Sequence, residues 1–161
     1  MWWELALALV LLCFGFVLLF GAPYLPTLSK ELNNAFELLD LRPGQTVLEP
    51  GCGDGRVLLA AARRGYSAIG YELNPILFAV SWFRARRYRK QVRVYWGNFW
   101  TRQWPQTDAI FVFLLQKYMA KLDTKIIQSA GKPVKLVSVA FTIPGKRPTK
   151  IKGAAALYLY H

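Results

Sequence analysis

Val47-Leu48-Glu49-Pro50-Gly51-Cys52-Gly53-Asp54-Gly55 is the stretch on which the fold turns. A short apolar run, three glycines at alternate positions and then Arg56-Val57-Leu58-Leu59-Ala60 predict a strand, a sharply turning loop and a helix leaving it. Such a loop lets a ligand approach the backbone with no Cβ in the way. The spacing is not that of a dinucleotide fingerprint, which has two residues between its second and third glycines, and no lysine stands where a phosphate loop needs one. Glu49 and Asp54 flank the loop, where they would repel a pyrophosphate.

Downstream the pattern alternates strand and helix, as a doubly wound α/β sheet requires. After a first strand at 46–49 and a helix at 56–64, strands are predicted at 68–72, 92–96, 108–115, 134–141 and 154–160, with helices at 75–89 and 118–129. The fourth strand is almost wholly apolar and so is expected at the centre of the sheet. Upstream, Arg42-Pro43-Gly44-Gln45 is a turn that ends a helix over 30–39, whose apolar face is Leu32, Ala35, Phe36, Leu38 and Leu39. Thr27 and Ser29 are the candidate caps of that helix.

The first residues are of another kind. Residues 5–20 carry no charge, and residues 2–22 reach about the 20 residues needed to span a bilayer, with Trp2 and Trp3 suited to its interface. A cleaved signal peptide would want a basic start and a shorter apolar region. All 21 Lys and Arg residues lie beyond this stretch, so the positive-inside tendency leaves the rest of the chain in the cytoplasm of a single-pass membrane protein. Gly21-Ala22-Pro23-Tyr24-Leu25-Pro26 is a proline-punctuated link. The expected division is an anchor over 1–22, a juxtamembrane segment and helix over 23–45, and one domain over 46–161. The formal net charge of +12 would draw that domain toward anionic headgroups or an acidic partner.

Two cysteines, Cys13 and Cys52, support neither a disulfide framework nor a Cys-based zinc site. His161 is the sole histidine and the last residue, so neither Ser-His-Asp nor His-metal chemistry is available. The carboxylates of the loop suit a cation. Glu72, at the predicted end of the second strand, can accept two ribose hydroxyls bidentately. A nucleoside bearing ammonium and sulfonium groups, S-adenosylmethionine, meets both conditions.

Val47 through Val57, followed by Gly70-Tyr71-Glu72-Leu73-Asn74-Pro75, resembles the first two motifs of class I S-adenosylmethionine-dependent methyltransferases. Pro23-Tyr24-Leu25-Pro26-Thr27, Gly97-Asn98-Phe99-Trp100 and the stretch 108–116 extend the resemblance to the small membrane-anchored protein-lysine methyltransferases, whose mitochondrial members modify the ATP synthase c subunit and the adenine nucleotide translocase. The resemblance implies a Rossmann-like sheet, here trimmed at the C-terminus and preceded by one transmembrane helix. It also implies a cofactor set of Glu49, Gly51, Cys52, Gly53, Asp54, Gly55, Glu72, Leu73, Asn98 and Phe99. Glu49, Gly51 and Gly53 would line the methionine end, Glu72 the ribose and Asn98 the adenine, where many relatives have an aspartate.

Other readings of these residues stay open. Asp54 is equally an N-cap of the following helix, and Asp108 suits the entry to the central strand better than chemistry. Trp96, Trp100 and Trp104 form either a wall around a methyl acceptor or ordinary packing. Tyr24, Phe99, Trp100 and Tyr118 are the candidate catalytic wall, since a lysine acceptor must be neutral and an aromatic, low-dielectric channel eases its deprotonation. Arg84, Arg86, Arg87, Arg89, Lys90 and Arg93 form a solvated basic face or a membrane-surface contact. No stacking pattern accompanies them for nucleic acid. Phe113-Leu114-Leu115-Gln116 lacks the Asn-Pro-Pro-Tyr type of ending that marks DNA methylation at amino groups. A protein acceptor leads, with two alternatives: a lipid or small amphiphile as acceptor, or a non-catalytic S-adenosylmethionine-binding membrane module.

Overall fold

The computed structural model describes residues 2–5, 7, 8, 10, 11, 15, 27–129 and 131–161. The expected anchor over 2–22 lies largely outside them. Those of its residues that are described are helical, and Trp2 and Trp3 are exposed. Among the described residues no helix is long and apolar enough to cross a membrane.

Among the described residues seven strands form one sheet in the order β3-β2-β1-β4-β5-β7-β6. They are β1 Thr46–Pro50, β2 Ser67–Glu72, β3 Val92–Trp96, β4 Ala109–Val112, β5 Val134–Val139, β6 Lys150–Lys152 and β7 Ala155–Tyr160. The first five are parallel, and β7 returns antiparallel between β5 and β6. The helices are α1 Ser29–Leu39, α2 Arg56–Arg63, α3 Pro75–Ala85 and α4 Met119–Ser129, with short 3-10 turns at Arg86–Tyr88 and Gln116–Tyr118.

Alternation along the strands divides the core between the two faces. Val47, Phe111, Val137 and Leu157 face the cluster that holds α1 and α2, while Leu48, Ile110, Val112, Leu136 and Tyr158 face the one that holds α4. All four residues of β4 are buried, as expected of a central strand. It ends at Val112, three residues early, because Leu115 starts a new turn in extended conformation.

β6 is the strand missed in the sequence, a three-residue Lys-Ile-Lys edge with every residue exposed and hence no apolar alternation. Residues 97–108, between β3 and β4, contain no helix, and Phe99, Trp100 and Trp104 pack there against the face that α4 covers. The capping expectation for α1 also fails. Leu28 occupies its N-cap in extended conformation without a side-chain bond, which puts Ser29 already inside the helix and leaves Thr27 buried. Asp108 does serve the strand entry: its carboxylate accepts the Thr46 N–H at 2.8 Å, and its own N–H donates to the Thr46 carbonyl.

Candidate cofactor site

Ligands of open parallel sheets sit outside the carboxyl ends of the strands, where the strand order reverses. Here the order reverses between β1 and β4, and the glycine loop follows β1. Gly51, Gly53 and Gly55 take φ of 80°, 53° and 77°, a conformation that L side chains rarely adopt. The N–H groups of Gly51 and Cys52 both donate to the Tyr71 carbonyl at 2.9 Å, which ties the loop to the end of β2.

Glu49, the penultimate residue of β1, has 7% of its surface exposed, and its Oε2 is buried without a hydrogen-bond partner. Burial pushes its carboxyl well above the ordinary value, and the charges of Asp54 and Glu72 add to that. Glu72, equally buried, accepts the Gly53 N–H at 2.7 Å and the Asn74 N–H at 2.8 Å, and retains lone pairs beyond those bonds. Burial raises its carboxyl too, against the lowering effect of those backbone donors. Two buried carboxylates with no ion-pair partner among the described residues therefore stand at the ends of adjacent strands. This is the environment an ammonium-bearing nucleoside fits, since a buried acceptor left unpaired costs free energy that such a ligand removes.

Asp54 is different, and it corrects the electrostatic argument made from sequence. Its carboxylate pairs with Arg56 at 3.1 Å and with Arg84, and accepts the Arg56 N–H at the start of α2. Burial raises it, but the two arginines prevail and hold it below the ordinary value. The N-cap position itself is held by Gly55 without a side-chain bond, so the cap reading of Asp54 fails in its strict form: it accepts the first helical N–H from one residue further back, and its charge is spent on the arginines. Arg56 also reaches the Thr27 carbonyl at 3.3 Å, so residue 27 lies beside the loop.

Cys52 and Gly55 serve packing. A Cβ on Gly70 would lie 2.7 Å from the Cys52 sulfur, and burial raises the thiol pKa, so the side chain is turned onto β2. A Cβ on Gly55 would lie 3.0 Å from that of Ser81 in α3. Gly51 instead faces the Phe99 ring, 3.9 Å from where its Cβ would be. Leu73 is half-buried, and its carbonyl accepts from the Trp96 indole at 3.0 Å. The Asn98 side-chain oxygen accepts the Trp100 N–H at 2.9 Å and so builds the turn that carries Phe99 and Trp100.

Three of the four wall candidates meet. Phe99 and Trp100 lie 4.5 Å apart between centroids, and Trp100 and Tyr118 lie 6.1 Å apart, all half-buried. Tyr24 lies outside the described residues. Of the tryptophans, Trp104 is buried and donates to the Phe99 carbonyl at 2.9 Å, whereas Trp96 is largely exposed. Lys121 sits over the Trp100 ring at 4.5 Å and Lys117 over Tyr118 at 4.9 Å. Asn74 was missed in the sequence. It is fully buried, caps α3 through Oδ1 to the N–H groups of Ile76 and Leu77, and leaves its side-chain NH2 unbonded beside Glu72. The Asn-Pro pair at 74–75 was the available sign. Among the described residues no group of side chains could hold a metal.

The ANTKMT methyltransferase domain model matches residues 49–150 of this chain. The lysine N-methyltransferase of the ATP synthase c subunit from Homo sapiens is 30% identical over 133 residues, which cover 81% of this chain and 57% of that protein. The adenine nucleotide translocase lysine N-methyltransferase of Mus musculus is 31% identical over 134 residues, 81% of this chain and 58% of that one. The chain thus spans under three fifths of the length of either relative. The crystal structure of an RNA methyltransferase from Salinibacter ruber in complex with S-adenosyl-L-homocysteine has a TM-score of 0.77, covering 84% of this chain and 92% of that one. At 21% identity that likeness is one of fold.

Proposed function

The chain belongs to the ANTKMT methyltransferase domain family, and from that premise we propose that it transfers a methyl group from S-adenosylmethionine to a protein lysine in or beside a membrane. The observation that carries the cofactor assignment is Glu49, a buried carboxylate with an unpartnered oxygen next to a glycine loop. In this reading Glu49 holds the ammonium of the cofactor, Glu72 accepts its ribose hydroxyls, and the bare backbone at Gly51 and Gly53 admits it closely. When bound, S-adenosylmethionine supplies a sulfonium-activated methyl group that an amine displaces in line.

The residues of the chain then have to bring a neutral amine to that point. Phe99, Trp100 and Tyr118 form an apolar approach that disfavours an ammonium by desolvation. Lys117 and Lys121, stacked on two of these rings, disfavour a further positive charge by repulsion. No general acid is required once the amine arrives deprotonated. Residues 2–22 act as a single-pass tether that leaves a cytoplasmic domain over 46–161, joined through the segment 23–45. The lysine methyltransferase names of the human and mouse relatives support the acceptor class.

The test is to incubate the purified full chain with methyl-labelled S-adenosylmethionine and a membrane fraction of its source. Label on a protein band, at lysine by peptide mapping, is expected. Label in the lipid extract, or none anywhere, removes the protein-lysine reading.

A further inference from the structure

Between α2 and α3 runs a groove lined by buried Leu59 and half-buried Tyr88, with the exposed Phe83 at its rim and Arg63, Arg84, Arg86 and Arg87 around them. No acidic residue occurs between Glu72 and Asp108, and among the described residues no carboxylate lies within ion-pair distance of Arg63, Arg86 or Arg87. Only Arg84 has such a partner, in Asp54. Beside the groove Trp82 and Phe83 are 52% and 65% exposed, and the Arg86 guanidinium lies over both rings at 5.7 and 5.6 Å.

A face that merely meets water mixes charges of both signs and does not present adjacent bulky aromatics. Unpaired arginines around an apolar floor, with Trp and Phe at the rim, instead match a surface resting in the headgroup layer of a bilayer. The location agrees with this. Arg84 bonds Asp54, Asp54 bonds Arg56, and Arg56 bonds the Thr27 carbonyl, so the groove lies on the side where the chain arrives from its apolar N-terminal stretch.

We propose that this groove binds the phosphate headgroups of anionic phospholipid, with Trp82 and Phe83 entering the bilayer interface. The proposal rests on the reading that the chain works at a membrane and adds a second, charge-dependent contact to the tether. Guanidinium groups suit the task because their fork donates two parallel hydrogen bonds to one phosphate.

The test uses the full chain with two vesicle preparations, phosphatidylcholine alone and phosphatidylcholine mixed with phosphatidylglycerol. The expected result is tighter binding to the mixed vesicles, a preference that the double substitution Arg86→Gln, Arg87→Gln cuts roughly 30-fold, given the contribution of each basic residue near an anionic surface. Arg147→Gln with Lys150→Gln, which removes the same charge near the opposite edge of the sheet, should keep most of the preference. Equal losses from the two pairs would reduce the effect to net charge and overturn the groove. So would displacement by inorganic phosphate at constant ionic strength, which would make the ligand a free anion. Binding equally well to both vesicles leaves the membrane reading standing without the groove, and a full chain that binds neither loses both.

Discussion

Glu49 carries a charge problem that the ligand-free chain does not solve. Its raised carboxyl and orphaned oxygen mean that ionisation is opposed by burial and by neighbouring acids. Glu49→Gln should therefore leave the melting temperature at pH 8 unchanged or higher, while weakening S-adenosylhomocysteine by about 1–3 kcal/mol through loss of a charged acceptor. Calorimetric titration reads the second effect, and undiminished affinity would detach Glu49 from the ligand. Glu72 behaves differently because it is already at work holding Gly53 and Asn74. Glu72→Ala is expected to weaken the same ligand by about 1–3 kcal/mol and also to lower the melting temperature, since two backbone donors lose their partner. An unchanged Kd for that variant would end the ribose assignment.

Elements set how sharply the glycine loop is constrained. Gly55 turns the chain into α2 at positive φ and lets α3 pack within contact distance of it, so a methyl group there meets both backbone strain and Ser81. Gly44 has a similar positive φ of 88° with open space around it. Gly44→Ala should cost about 1 kcal/mol of unfolding free energy, the strain alone, and Gly55→Ala distinctly more. Urea denaturation of the two variants decides this, and equal losses would show that α2–α3 packing does not depend on Gly55. The 97–108 connection makes a related point, because its aromatic side chains pack on the same sheet face as α4 without a helix to present them. Its Asn98 turn then sets where Phe99 and Trp100 stand.

At the scale of the whole molecule the raised buried acids act on stability above the ordinary carboxylate range, and the lowered Asp54 and Asp108 act below it. Glu49 and Glu72 have folded pKa values raised above the unfolded ones, so their contribution to stability is present below the ordinary carboxylate range and is lost as pH rises through the raised values. Thermal melts of the ligand-free protein should therefore decline over that upward window, and S-adenosylhomocysteine, which brings an ammonium group, should stabilise more at its upper end. A ligand-induced shift independent of pH would contradict this. A chain starting at Pro23 should still bind S-adenosylhomocysteine, yet methylate a membrane-resident acceptor much more slowly, because a tether raises effective concentration without touching the cofactor. Equal rates with and without residues 1–22 would remove the tether. What the sequence alone determined is what local pattern carries. The strand–glycine loop–helix unit, the acid ending β2, the apolar β4 and the alternation of the sheet all follow from the spacing of a few neighbouring residues. Tertiary structure decided which charges remain. Asp54 and Glu49 look alike in the sequence, but Arg84, thirty positions away in the chain, neutralises one, while among the described residues no cation pairs with the other. It likewise turned Cys52 onto Gly70 and completed the sheet with a charged edge strand, because those outcomes depend on which elements meet, and no local period encodes that.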